Sequence, residues 1–159
     1  MIMSKTINII VAGLGGQGVL KASDIVAEAV FSAGFDVKKS EVHGMSQRGG
    51  SVSSEVRFGS DVASPMIPAG ESDFLLVLED TQIEVNKPKL KADGKLITLA
   101  DVDASKLENP KTINIAMLGV LSASLPEISE ECWIDALKKF LPEKHHAVNL
   151  AAFALGRGK

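Results

Sequence analysis

The chain has 159 residues, 45% hydrophobic and 23% charged, with 17 basic against 20 acidic side chains and a formal net charge of −3. That length fits one domain, 1–159, and is too short for a two-domain dehydrogenase; the charge balance lacks the basic stripe of a nucleic-acid binder. No apolar run reaches the roughly 18–20 residues of a membrane span, and the single cysteine, Cys132, can form neither an internal disulfide nor the ligand set of an iron–sulfur cluster, which takes about four thiolates.

Three histidines make a dedicated metal cage unexpected. Met1 to Lys5 lead straight into an apolar pattern with no signal-peptide layout, so a cytoplasmic location is the expectation. Aromatic residues are scarce, six Phe, one Trp and no Tyr, and the core is expected to be aliphatic.

Ile7 to Ala12 form a short, nearly continuous β-branched run stopped by glycine. That is the pattern of a strand buried on both faces, as in a parallel sheet. Gly13-Leu14-Gly15-Gly16-Gln17-Gly18 follows as a glycine loop. A helix is predicted next, with small or apolar residues at Val19, Ala22, Val26, Ala29, Val30 and Ala33 and a stop at Gly34. Asp36 to Val42 read as a second, partly buried strand, completing a βαβ unit.

His43 to Gly50 form a polar, glycine-bearing loop. Ser51 to Phe58 then alternate between apolar and polar, which predicts a half-exposed strand inserted at a sheet edge. Gly59 to Ser72, with Pro65, Pro68 and Gly70, read as an irregular connection. Phe74 to Leu78 form a strong strand signal, Asp80 a cap for a short helix ended by Pro88, and Lys95 to Leu99 a strand preceded by the turn at 92–94. Thr112 to Ile115 are assigned to a last strand. The C-terminal third reads as helical: Met117 to Leu125, a helix opened by Ser129-Glu130-Glu131 and carrying Trp133 and Leu137, and a third from Pro142 to Leu155, stopped by Gly156. The fold class is therefore α/β: a Rossmann-like three-layer sandwich with a mostly parallel sheet and a helical C-terminal third.

Gly13, Gly15 and Gly18 satisfy G-x-G-x-x-G between a strand and a helix. Such a loop offers backbone N–H groups and the positive end of a helix to an anion. Glu41 lies 23 positions after Gly18, about where a dinucleotide site places its ribose-binding acid. One reading is therefore a stand-alone Rossmann nucleotide-binding module; a plain strand-to-helix turn, in a homodimeric scaffold, is another. The 43–50 loop supplies Ser46 and Gln47 as hydrogen-bonding groups and Arg48 as a two-pronged anion ligand, with Gly44, Gly49 and Gly50 permitting close approach. His43 is a candidate proton relay, although a histidine simply satisfied by hydrogen bonds is the more economical reading. His145 and His146 are read as solvated and Cys132 as packed. Met45 and Met66 could line an adaptable interface, with ordinary packing the more economical reading. Glu79 and Asp80, at the end of a central strand, could be site acids, with helix capping by Asp80 the more economical reading.

Taken together, the two loops resemble a known family. Gly13-Leu14-Gly15-Gly16-Gln17-Gly18-Val19 resembles the N-terminal signature of the gamma domain of 2-oxoacid:ferredoxin oxidoreductases, and Glu41 to Val52 looks like its second signature. The wording His43-Gly44-Met45-Ser46-Gln47-Arg48 is most similar to the small (beta) subunits of indolepyruvate:ferredoxin oxidoreductases. Ser64 to Pro68 and Asn149 to Gly156 match the family's layout.

The resemblance implies a complex that oxidatively decarboxylates a 2-oxoacid, indolepyruvate or another aryl pyruvate, with thiamine diphosphate and magnesium. The acyl group would pass to coenzyme A as co-substrate, and electrons would leave through iron–sulfur clusters to ferredoxin. This chain has no Gly-Asp-Gly followed by Asn-Asn and one cysteine. Thiamine and clusters are therefore expected on a large partner subunit, with no cofactor bound by this chain alone and no activity in isolation. Its expected share of a composite cofactor-binding site is Gly13, Gly15, Gly16, Gln17, Gly18, His43, Ser46, Gln47, Arg48 and Gly49. Neither catalytic residue nor metal ligand, nucleic acid nor membrane is assigned to it, and the isolated chain is expected to be able to self-associate through its uncovered face.

Overall fold

The computed structural model describes residues 5–43 and 50–159, with His43 as backbone only. Five strands are present: β1 (Ile7–Leu14), β2 (Asp36–His43), β3 (Ser51–Gly59), β4 (Ser72–Val77) and β5 (Leu90–Ile97). The helices are α1 (Val19–Ser32), the single turn α2 (Ile83–Asn86), α3 (Ile113–Ala123), α4 (Glu130–Phe140) and α5 (His146–Gly156). The strands form one mixed sheet in the order β2-β3-β1-β4-β5. β1, β4 and β5 pair in parallel. β3 runs antiparallel to both β1 and β2, so four strands share a direction and β3 alone opposes them.

β3 therefore differs from the edge position its alternation predicts. It lies inside the sheet, and the edges are β2 and β5. Its period-two pattern has another cause: its two faces meet different surroundings. Val56 and Phe58 are fully buried on one side, whereas Glu55 and Arg57 on the other meet loop backbone. The true edges carry Lys38, Lys39 and Glu41 on β2 and Lys91, Asp93 and Lys95 on β5. Charged residues along an edge discourage pairing with another chain.

Alternation sorts the side chains into two clusters. Ile7, Ile9, Val11, Val56, Phe58, Leu76 and Ile97 face α1, α3, α4 and α5 and form the main core with them. α1 buries Val19, Ala22, Ile25, Val26, Ala29 and Val30, a one-sided helical spacing. α3 is buried nearly all round, from Ile115 to Leu121, because it lies between sheet and α5. α4 contributes Trp133, whose ring lies 6.0 Å from that of Phe153 on α5. The second face has Ile10, Ala12, Leu75 and Val77, covered by α2 and the 60–71 connection through Ile83 and Ile67.

That thin cover is held by polar contacts. Arg57 donates from Nε to Asn8 Oδ1 at 2.9 Å and from an η nitrogen to the carbonyls of Ser64 and Met66, both at 2.8 Å. Glu55 accepts from the Ile67 N–H at 3.1 Å. Asp36 accepts from the Val62 N–H at 2.8 Å, and this bond, with a lysine at Lys38, holds its carboxyl below the usual aspartate range.

α3 and α5 cross closely. A Cβ on Gly156 would stand 1.8 Å from the Ala116 carbonyl oxygen, and one on Gly119 would stand 2.2 Å from that of Phe153. Gly156, expected as a stop, is thus the last residue of α5 and is required for space. The chain turns two residues later at Gly158, whose φ is 90°; the bonds Gly158 N–H to Leu155 O and Lys159 N–H to Ala154 O form a Schellman cap.

Other local expectations shift. Thr112 to Ile115, expected as a strand, form the end of a 3-10 turn and the start of α3. Asn109 caps that turn through the Lys111 N–H, and Pro110 opens it; an Asn-Pro start is helix chemistry that outweighs the β-branched Thr and Ile. The turn expected at 92–94 lies within β5. Glu79, not Asp80, caps the turn after β4. Ser129 caps α4, as its acidic first turn suggests.

Candidate functional site

β1 ends among three neighbours: the start of β3, the end of β4 and the start of α1. The pairing of β1 with β3 runs out to Leu14 opposite Ser51 and continues as the Gly15 N–H donating to the Gly50 carbonyl at 2.9 Å. On the other side the Leu78 N–H donates to Ala12 O at 2.8 Å. The glycine loop is thus framed on both sides by backbone.

Within the loop, Gln17 folds back. Its Oε1 accepts from the Leu14 N–H at 2.7 Å, and its own N–H donates to Leu14 O at 3.2 Å. Gly13 makes room for this: a Cβ there would lie 3.0 Å from Gln17 Oε1 and 3.0 Å from Val19 Cγ2. Gly16 and Gly18 have φ of 89° and 85°, the left-handed region that side chains other than glycine occupy at a cost. Gly18 is the residue from which α1 starts, with no side-chain cap. Three loop N–H groups, those of Leu14, Gly15 and Gln17, are therefore committed inside the protein.

Gln17 also reaches outward. Its Nε2 donates to Glu79 Oε1 at 2.9 Å, and its carbonyl accepts from Asn114 Nδ2 at 2.6 Å. The Gln17 hydrogen bond, joined by the Thr81 backbone N–H, holds the Glu79 carboxyl below the usual glutamate range. Glu79 is then anionic at neutral pH, beside the loop where a dinucleotide would seat its pyrophosphate, and a like charge there opposes a phosphate.

Glu41 cannot serve the ribose role either. β3 stands between β2 and β1, which sets Glu41 about 10 Å, two strand spacings, from β1. Its strand neighbour Lys39 lies 2.8 Å from its carboxylate. Burial opposes the Lys39 charge, but the carboxylates of Asp24 and Glu41 outweigh it and raise the lysine pKa.

The second loop leaves the sheet beside the first. β2 ends with His43 opposite Val52. The His43 side chain and residues 44–49, with Ser46, Gln47, Arg48 and Gly49, lie outside the described residues. The root that follows them is well placed: Gly50 meets Gly15, and Ser51 Oγ donates to Gln82 Oε1 at 2.8 Å. A groove of about 110 Å³ beside this root is lined by Val42, Ser51, Ser53, Gln82 and Val85 among others. Val42 is 52% exposed and Val85 62%.

Two residues of this region were not legible as site residues. Asn114 falls in the segment expected as a strand; the signal that could have found it is the Asn109-Pro110 helix start. Gln82 stands in a short polar segment with no motif. Among the weaker candidates, His146 is engaged and not simply solvated, its Nε2 lying 2.8 Å from Leu141 O. Met66, expected to pack, is 71% exposed, because Arg57 fixes the loop by its carbonyls and turns the side chain outward. Cys132 packs against the core, half-buried. No helix among the described residues is long and apolar enough to cross a membrane.

Known proteins are similar to this chain in sequence and in fold. Residues 8–158 match the family described as "Pyruvate ferredoxin/flavodoxin oxidoreductase". The chain is 33% identical to the indolepyruvate oxidoreductase subunit IorB of Thermococcus kodakarensis, over 96% of this chain and 95% of that one. The crystal structure of the gamma subunit of a keto/oxoacid ferredoxin oxidoreductase from Geobacter sulfurreducens superposes with a TM-score of 0.79 at 25% identity, covering 94% of this chain and 95% of that one. The same fold recurs in a 2-oxoglutarate:ferredoxin oxidoreductase from Magnetococcus marinus, at a TM-score of 0.80 and 24% identity; there it spans 98% of this chain but 31% of the longer one. With the family model matching nearly the whole chain and both the curated relative and the gamma-subunit structure covered almost end to end, the chain belongs to the pyruvate ferredoxin/flavodoxin oxidoreductase family and is of its gamma-subunit type.

Proposed function

We propose that this chain is the small subunit of a thiamine-dependent 2-oxoacid:ferredoxin oxidoreductase acting on indolepyruvate or another aryl pyruvate. In the overall reaction the 2-oxoacid loses carbon dioxide, its acyl group forms a thioester with coenzyme A, and the two electrons released reduce ferredoxin. Thiamine diphosphate supplies the carbanion-stabilising chemistry when bound. Its magnesium and the iron–sulfur clusters belong to a larger partner subunit. The residues here do not fit a cluster, which takes about four thiolates, since Cys132 is the single cysteine.

The share of this chain is a rigid wall and two loops. Gly13, Gly15, Gly16, Gln17 and Gly18 form one; His43, Ser46, Gln47, Arg48 and Gly49 belong to the other. Arg48 is assigned to an anionic group, the carboxylate of the 2-oxoacid or a phosphate of coenzyme A, which guanidinium can grip with two bonds. The observation that carries this reading is the 2.9 Å bond from the Gly15 N–H to Gly50 O, which joins the glycine loop to the residue following the 44–49 segment, beside the carboxyl ends of β1 and β2, where open α/β sheets place ligands. The similarity to IorB favours the aryl pyruvate. The Glu79 carboxylate, the committed loop N–H groups and the distant Glu41 all speak against a stand-alone nucleotide module.

The test is co-expression with a larger chain that carries Gly-Asp-Gly…Asn-Asn and ferredoxin-type cysteine motifs. The purified pair should reduce viologen with an aryl pyruvate and coenzyme A, and neither chain should do so alone. Tight binding of NAD by this chain alone, or full activity of the larger chain without it, would overturn the reading. Within an active pair, Arg48→Ala should raise the KM for the 2-oxoacid or coenzyme A about tenfold or more, as loss of a charged anion contact does; unchanged constants remove Arg48 from the site.

A further inference from the structure

The glycine loop and the start of β3 are held by a third segment that carries no motif. The residues after β4, Glu79 to Gln82, reach the glycine loop with one side chain and the root of the second loop with another. Glu79 Oε1 accepts from Gln17 Nε2 at 2.9 Å; Gln17 Oε1 in turn fixes the Leu14 N–H at 2.7 Å. Gln82 Oε1 accepts from Ser51 Oγ at 2.8 Å. Gln82 is buried, and its carbonyl is itself held by Asn86 Nδ2 at 2.8 Å. The two struts are three residues apart on one 3-10 turn, so they cannot move independently.

We propose that Glu79 and Gln82 are positioning residues of the composite site, Glu79 acting through Gln17 on the glycine loop and Gln82 acting through Ser51 on the root of the 44–49 loop. Neither touches substrate. The physical case is that each strut spans a large sequence separation, 62 residues for Gln17 to Glu79 and 31 for Ser51 to Gln82. Local capping needs no such reach: Glu79 already caps its own turn at the Thr81 N–H through Oε2, leaving Oε1 for the loop. A displacement of about 1 Å in a site-forming loop can cost on the order of a hundredfold in rate, and these two bonds tie the glycine loop and the first residue of β3 to one segment.

This inference rests on the proposed composite site, and the experiment separates the two. The wild-type complex is measured first: if no 2-oxoacid supports viologen reduction, the functional reading fails before any variant is considered. In an active complex, Glu79→Ala with Gln82→Ala is expected to raise the KM for the 2-oxoacid or for coenzyme A by about tenfold, with the KM for viologen unchanged. Glu79→Gln should restore the Glu79 part, because an amide oxygen still accepts from Gln17. A general loss of stability would produce neither that substrate-selective split nor that rescue. Wild-type constants in the assembled double variant overturn the proposal. If the double variant does not assemble, amide exchange on the isolated full chain decides: faster exchange at Leu14 with Glu79→Ala supports the strut, and unchanged exchange overturns it.

Discussion

On one face of the sheet, Ile9, Val11, Val56 and Leu76 meet four helices through aliphatic packing. On the other, Arg57, Glu55 and Asp36 hold down a loop by hydrogen bonds, over a small patch of Ile10, Ala12, Leu75 and Val77. The first face is closed by area removed from water, so its stability is spread over many side chains. The second is closed by a few charged or polar groups that point at backbone, so it depends on each of them. Three of the four exposed large hydrophobic residues among the described residues, Val42, Met66 and Val85, belong to this second side. One face is therefore a closed aliphatic core, and the other is closed by few contacts over a small apolar patch.

The largest expected break is on the helical face. Trp133→Ala should cost about 4 kcal/mol, as full truncations of buried aromatics do, read from the denaturant midpoint. Trp133→Phe should cost about 1 kcal/mol, since it also deletes an indole N–H that is buried without a partner among the described residues. Gly156→Ala should cost about 3 kcal/mol, because the added methyl meets the Ala116 carbonyl and the α3–α5 crossing must open. If the helix face tolerates these changes, it is not the rigid side.

On the loop-covered face, Arg57→Met should cost about 2 kcal/mol by leaving the Ser64 and Met66 carbonyls and Asn8 without their donor. Proteolysis within 60–71 should rise while exchange in α1 and α3 stays slow. An acid titration sharpens the same contrast. Asp36 has its folded pKa depressed by the Val62 N–H, so its contribution is present above the ordinary aspartate value of about 3.9 and lost as pH falls through the lower folded value. The Val62 amide should therefore exchange faster below that value, and Asp36→Asn should remove the step. The smallest effect belongs to Met66→Ser, expected within about 0.5 kcal/mol, because the side chain is 71% exposed; a weaker association with the proposed larger subunit, at unchanged Tm, is its expected signature.

Much of this was legible in the chain itself. The continuous run Ile7–Ala12 marks a strand buried on both faces, and the spacing Val19, Ala22, Val26, Ala29, Val30 marks a one-sided helix; both are local consequences of where apolar side chains repeat. The glycine loop was legible because Gly13, Gly16 and Gly18 serve needs that only glycine meets, space in one case and left-handed backbone in the others. The placement of β3 was not, since alternation reports two unlike faces and says nothing about neighbours. Glu79 and Gln82 were illegible as partners of Gln17 and Ser51 for a similar reason: a hydrogen bond across 62 or 31 residues leaves no periodicity.

Sequence alone determined the α/β class, the helical final third, the two signature loops and the thiolate count, one cysteine, too few to ligate an iron–sulfur cluster. These follow from residue type and short-range spacing. Tertiary structure decided that β3 enters the sheet antiparallel and removes Glu41 from the glycine loop, that the loop spends its N–H groups on Gln17 and Gly50, and that one face stays thinly covered. Those outcomes depend on which distant segments meet, and such meetings are fixed by the packing of the whole chain.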